Sequence, residues 1–185
     1  MRHDMRAKPL YRLLYAVKPA PIIARQTDHL VDTLGGGDRR VRPEHQHVTL
    51  AVTADHVDYP YAVVKALLRA GTGVMAEPFD LPLDRLRYSN RSAALRPSRT
   101  VPLLQALQRE VAAAMRGAGV ALRPDWSFSP HQTLFYRQGR PEQRRVEGFT
   151  WRVEEFVLLC SHVGRTRHDI LATWPLKGDG QFSLF

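Results

Sequence analysis

The sequence predicts an α+β fold in which helices pack on antiparallel strands, and three observations predict it. Several segments alternate apolar and polar residues with the period of a strand, and others repeat apolar residues at helical spacing. The two kinds of segment run strand, helix, strand, helix, strands, helix, strand, strands, which is not the regular alternation of a parallel sheet. At 185 residues and 44% hydrophobic content, the chain is long enough for one well-packed domain or two small lobes sharing an interface. We read residues 1–185 as one unit, with 1–10 a loose leader and 178–185 a loose tail.

The first strand is Tyr11 to Val17, stopped by Lys18-Pro19-Ala20-Pro21 because proline cannot donate to a ladder. Ile22, Ile23, Leu30, Val31 and Leu34 mark a helix that Gly35-Gly36-Gly37 ends. A strand is expected from Glu44 to Thr53, and a helix from Tyr61 to Ala70 that Gly71 and Gly73 close. Extended segments follow at Met75 to Ser89 and Ser92 to Arg96. The helix from Val101 to Gly117 carries one apolar stripe, Leu104, Leu107, Val111, Ala114 and Met115, with Thr100 as the expected N-cap and Pro102 in the first turn. Ser129 to Arg137 reads as a strand and Gln138 to Gly148 as a polar loop. Trp151 to His162 and His168 to Leu176 read as a hairpin turned at Gly164-Arg165-Thr166-Arg167.

Twenty-seven basic against eighteen acidic side chains leave a formal charge of +9, which favours an anionic partner such as a nucleic acid, nucleotide or membrane surface, or simply a basic solvated surface. The single cysteine, Cys160, excludes an internal disulfide and a cysteine-based zinc site. A charged N-terminus and the lack of any apolar stretch near the roughly 18 residues of a membrane span argue against a signal peptide or membrane helix. A cytoplasmic location is the expectation, and a monomer.

Two tetrads carry the chemistry. His47-Val48-Thr49-Leu50 and His131-Gln132-Thr133-Leu134 share the form H-x-T-L, each within a segment of strand periodicity. Strand parity places His45, His47, Thr49, Ala51 and Thr53 on one face, and His131, Thr133, Phe135 and Arg137 on one face of the other strand, with Leu134 and Tyr136 behind. Residues two apart on a strand stand about 6.6 Å apart, so one imidazole and one hydroxyl can reach the same phosphate. Two such strands facing one cleft would supply a proton donor and a proton acceptor, a task for which histidine is tuned near neutral pH. The bland alternative is a pair of histidines bonded inside a core.

With these tetrads 84 residues apart, Tyr15-Ala16-Val17 in the opening strand and Trp174-Pro175-Leu176 near the end, the sequence resembles the two-histidine phosphoesterases, and among them the 2′-5′ RNA ligase or RNA 2′,3′-cyclic phosphodiesterase branch. The resemblance implies a bilobed fold of two antiparallel sheets related by a pseudo-twofold axis, with helices outside and a central cleft. It implies metal-independent opening of RNA 2′,3′-cyclic phosphate ends to 2′-phosphates with no cofactor, and leaves reversible 2′-5′ ligation as an optional accompanying activity. His47 would be the proton donor, His131 the acceptor, and Thr49 and Thr133 the phosphate-binding hydroxyls. Many such proteins have an arginine soon after the second tetrad; Tyr136 stands nearest here, and Arg137 is our candidate for phosphate binding. Other substrates with the same phosphate chemistry, ADP-ribose cyclic phosphate or 2′,5′-oligoadenylate, remain open, as does an RNA-binding module without turnover.

Tyr15 and Phe135 are the candidates for stacking a base. His45 with His47 at strand spacing raises a metal site, but no carboxylate cluster supports one, and His45 reads as a rim residue. His56, His162 and His168 read as surface or capped histidines, and Gly35-Gly36-Gly37 as a cap rather than a phosphate loop. Arg39, Arg40, Arg42, Arg91, Arg96 and Arg99 are candidates for an RNA track.

Overall fold

The computed structural model describes residues 10–36, 39–165 and 167–177. In chain order the elements are β1 (Leu10–Val17), α1 (Pro21–Thr33), β2 (Val48–Val52), α2 (Tyr61–Thr72), β3 (Phe79–Pro82), β4 (Arg85–Tyr88), β5 (Ser92–Arg96), α3 (Pro102–Gly117), β6 (Gln132–Tyr136), β7 (Glu142–Arg145), β8 (Thr150–Val153), β9 (Glu155–Val163) and β10 (Arg167–Pro175). The strand order β10-β9-β1-β2-β6-β5-β4-β7 forms one sheet, and β3 pairs with β8 in a second. All these pairings are antiparallel. The large sheet is two four-stranded halves that meet at a single residue pair, Val48 opposite Gln132.

Each face of the large sheet has its own composition. On the helix side, Leu13, Tyr15 and Val17 of β1 pack with Leu67, Leu107, Val111 and Met115 of the helices in the main core. On the other side Leu14, Ala16, Val52, Val157 and Leu159 form a small apolar patch edged by Trp126. A sheet covered by helices on one face leaves the other open, and that open face carries both tetrads.

Several elements differ from their sequence expectation, each for a local reason. The segment before β2 is a 3-10 turn at Pro43–His45, so the strand begins at Val48 rather than Glu44. Proline starts that turn, and the Lys18 ammonium holds the Glu44 carbonyl at 2.6 Å. The strand expected from Ser129 begins at Gln132. The expected strand Trp151 to His162 changes sheets at Glu154: β8 pairs with β3 and β9 with β1. The polar loop contains β7, whose four residues are all exposed; an edge strand without apolar alternation is invisible to a periodicity argument. Pro102 fixes the first turn of α3, so Val101, which has no side-chain oxygen, takes the cap position instead of Thr100. The leader before Leu10, the tail from 178, Gly37 and Thr166 lie outside the described residues, while Leu10 itself is in β1.

Gly71 does not close α2 but lies inside it, against the indole of Trp174. A Cβ there would sit 2.5 to 2.8 Å from three ring atoms, and that ring is stacked on Phe156 at 5.1 Å. Gly71→Val is therefore expected to cost about 1–3 kcal/mol by overpacking, read as a lower denaturant midpoint with unchanged slope.

Candidate active site

The Val48–Gln132 pair sets the site. Continuing its antiparallel register places His47 opposite Thr133 and Thr49 opposite His131, so the tetrads exchange places about this pair. Diagonal neighbours on one face of such a pair stand roughly 7–8 Å apart at the backbone, which makes His47 and His131 neighbours on the open face. All four side chains line one cavity of about 630 Å³. The sequence expectation that the two imidazole-hydroxyl pairs share a cleft agrees with this placement.

Both imidazoles are oriented by the same bond. Nδ1 of His47 donates to the His45 carbonyl at 2.8 Å, and Nδ1 of His131 donates to the Ser129 carbonyl at 2.7 Å. A carbonyl only accepts, so each Nδ1 carries a proton and each Nε2 is the free atom. The two rings differ in surroundings: His131 is exposed at the mouth, while His47 is half-buried. Burial, aided by the charges of Lys18, His131 and His45, lowers the His47 pKa to about 4 although the His45 carbonyl opposes the shift. In the free protein at neutral pH, His47 is a neutral imidazole with a bare Nε2.

The strands bulge at the same point of both tetrads. Tyr15 and Ala16 face Ala51 and Thr49, leaving Leu50 without an opposite residue; Ala93 and Ala94 face Phe135 and Thr133, leaving Leu134 in the same position. An extra residue reverses strand parity beyond it. Val52 and Tyr136, each five residues after its histidine, consequently line the cavity, and Phe135 turns into the core.

This corrects three of the sequence candidates. Phe135 is 3% exposed and packs in the main core, where no base can reach it. Arg137 turns away from the cleft, its guanidinium 4.8 Å above the Tyr88 ring. Tyr15 is fully buried on the helix side, its hydroxyl donating to the Leu67 carbonyl at 2.5 Å. The charge at Arg12 is the available signal: it marks the even positions of β1 as the open face, and Arg12 and Leu14 do line the cavity.

Other residues join the site unannounced. His168 is not a surface histidine: its ring meets those of His45 and His47 edge-on at 5.1 and 5.2 Å. Burial and the neighbouring imidazoles push its pKa down to about 4. His162, bonded to Asp169 at 2.7 Å, also lines the cavity, as do Trp126 and Arg123. Arg12 forks onto Asp55 at 2.6 and 2.9 Å, and Arg123 reaches the same carboxylate at 3.3 Å. Two guanidiniums sharing one carboxylate leave this end of the cleft cationic. Among the described residues no group of three or more His, Cys, Asp or Glu is arranged to hold a metal ion.

Because His47 and His168 charge near pH 4 when folded and near 6.5 when unfolded, the unfolded chain binds more protons between those values. Stability is therefore expected to fall as pH drops from about 6.5 towards 4, above the range where Asp55, Asp84 and Asp169, all held below the usual carboxylate range, begin to protonate. Melting curves of wild type and His168→Gln across this window check it, the variant showing the shallower loss.

The open antiparallel face thus presents two imidazole-hydroxyl pairs to one cavity. The 2′-5′ RNA ligase superfamily model matches residues 19–165, and the chain belongs to that superfamily. Among solved structures, E. coli LigT complexed with 3′-AMP is 22% identical with a TM-score of 0.74, covering 92% of this chain and 99% of that one. TT0787 of Thermus thermophilus is 21% identical with a TM-score of 0.69, covering 91% and 99%. E. coli LigT has also been solved with ATP, at 23% identity, 92% and 99% coverage and a TM-score of 0.71. These similarities establish the α+β fold. A search of curated proteins gave no match. No described helix is long and apolar enough to cross a membrane.

Proposed function

We propose that this protein opens RNA 2′,3′-cyclic phosphate ends to 2′-phosphates with its two histidines and without a metal. The observation that carries the reading is the pair of Nδ1–carbonyl bonds, which present two free Nε2 atoms to one cavity beside two threonine hydroxyls. Water attacks phosphorus, and His131, at the wet mouth, takes its proton. The bond from phosphorus to the ribose 3′-oxygen breaks, and His47 gives that oxygen a proton. Thr49 and Thr133 hydrogen-bond the non-bridging oxygens as charge develops there. The products are a 2′-phosphate and a 3′-hydroxyl, and the same displacement with an RNA 5′-hydroxyl in place of water gives a 2′-5′ linkage and a 3′-hydroxyl, which is ligation.

His47 must be protonated to donate, and burial disfavours that in the free protein. An anionic phosphodiester next to Nε2 reverses the preference, since an opposite charge raises an imidazole pKa. Substrate binding thus loads the donor. Trp126 and Tyr136, which line the cavity, replace Tyr15 and Phe135 as the aromatic surfaces offered to a base. That E. coli LigT accommodates 3′-AMP supports a nucleotide in this cleft.

The test is incubation of a 2′,3′-cyclic nucleotide with the purified protein in excess chelator, with products separated by chromatography. The expected product is the 2′-phosphate at a rate unaffected by the chelator; an exclusively 3′-phosphate product, or an unopened ring, rejects the reading.

A further inference from the structure

The second tetrad lies at one end of a row of arginines. Arg96 of β5 faces Arg85 of β4, and Arg85 faces Arg145 of β7. Since Thr133 faces Ala94 and Gln132 faces Leu95, the next position in that register sets Arg96 beside His131. One line across four strands therefore reads His131, Arg96, Arg85, Arg145, on the face that carries the cleft. Arg96 also donates to the Ser129 hydroxyl, whose residue holds Nδ1 of His131 through its carbonyl.

Like charges directly opposite one another destabilise a sheet. Among the described residues, none of Arg85, Arg87, Arg96 and Arg145 has a carboxylate at ion-pair distance. Arg87 adds its repulsion to the burial that lowers the Arg96 pKa. The row ends in a second cavity that also presents Ser98, Arg99 and Arg144. Two carboxylates stand there. Asp80 pairs with Arg152 at 3.5 Å, and Asp84 accepts from the Ser98 amide at 2.7 Å and its hydroxyl at 2.5 Å while feeling the charge of Arg145. Asp84 offsets part of the row and leaves it cationic.

We propose that this row is a track for the sugar-phosphate backbone of single-stranded RNA whose 3′ end occupies the catalytic cleft, so that the preferred substrate is an RNA strand rather than a mononucleotide. The inference rests on the function proposed above. Three strand spacings from β6 to β7 amount to roughly 14 Å, further than one nucleotide reaches, and only phosphates upstream of the reacting one can meet Arg85 and Arg145. Of the arginines singled out in the sequence, Arg96 and Arg99 border this surface, whereas Arg40 is tied to Asp28 and Asp32, and Arg42 to Glu44.

The experiment compares wild type with Arg85→Gln/Arg145→Gln on two substrates, 2′,3′-cyclic CMP and an RNA of about ten nucleotides ending in the same cyclic phosphate. The expected result is a KM for the oligonucleotide raised roughly tenfold or more, a cyclic CMP kcat/KM within about twofold of wild type, and a log-log salt slope for oligonucleotide binding shallower by about 1.4. Relief of the opposed charges should also leave Tm equal or higher. Equal losses on both substrates, an unchanged oligonucleotide KM, or equal affinity for duplex RNA would overturn the track. If wild type opens neither substrate, the catalytic reading fails; anisotropy of a labelled oligonucleotide with a 3′-hydroxyl end then decides the track separately, the same loss in the variant supporting it and no loss rejecting it.

Discussion

His47→Ala and His131→Ala should each lower turnover of a 2′,3′-cyclic phosphate by roughly two to four orders of magnitude, the range in which a positioned proton donor or acceptor contributes. Loss of both should cost little more than loss of one, because residues that act as a unit are not additive. The two single variants differ in the pH profile that remains. His47 donates only when protonated, so its limb falls with rising pH. In the free protein that limb is set by a pKa near 4, and in the complex by a value that the bound anion has raised. The descending limb of kcat should therefore lie at higher pH than that of kcat/KM. His47→Ala should abolish the displacement. A limb that stays in place on saturation would assign His47 to the base role instead, which its neutral state in the free protein already permits.

The tetrads are legible because histidine and threonine two residues apart on a strand define a local geometry that the rest of the fold needs only to duplicate. What lies beyond each tetrad is not. Parity alone places Phe135 and Arg137 in the cleft and Tyr136 behind it, and the bulge at Leu134 reverses all three. A bulge follows from how a strand meets its neighbour, here β5, and one strand's alternation carries no trace of it. Tyr15 misleads for another reason: its aromatic chemistry suits a base, but the charge three positions earlier at Arg12 marks the other face as the open one. His168 reaches the cleft only through the β9–β10 pairing, and no spacing within its own segment signals that. The β7 strand, exposed at every position, has no burial pattern to read.

Gln132→Leu should be the most damaging substitution outside the reacting groups. Gln132 is fully buried, and its amide nitrogen donates to the Gln46 side-chain oxygen at 2.9 Å and to the Thr27 hydroxyl at 3.3 Å, tying the second tetrad and the residue just before the first to each other and to α1. Leucine fills much of the volume but leaves Gln46, itself buried, with one donor fewer in a setting where an unmet polar group costs about 1–3 kcal/mol. Since Val48–Gln132 is, among the described residues, the only pair joining the two halves of the sheet, kcat should fall along with stability, as small misplacements of catalytic groups are expensive. Adding Gln46→Leu separates the two effects. With both amides gone the desolvation penalty largely disappears, so stability should recover relative to Gln132→Leu. Turnover should not, because the bonds that hold the His47 and His131 strands in register are still missing. Recovery of both together would mean that backbone pairing alone sets the spacing of the imidazoles.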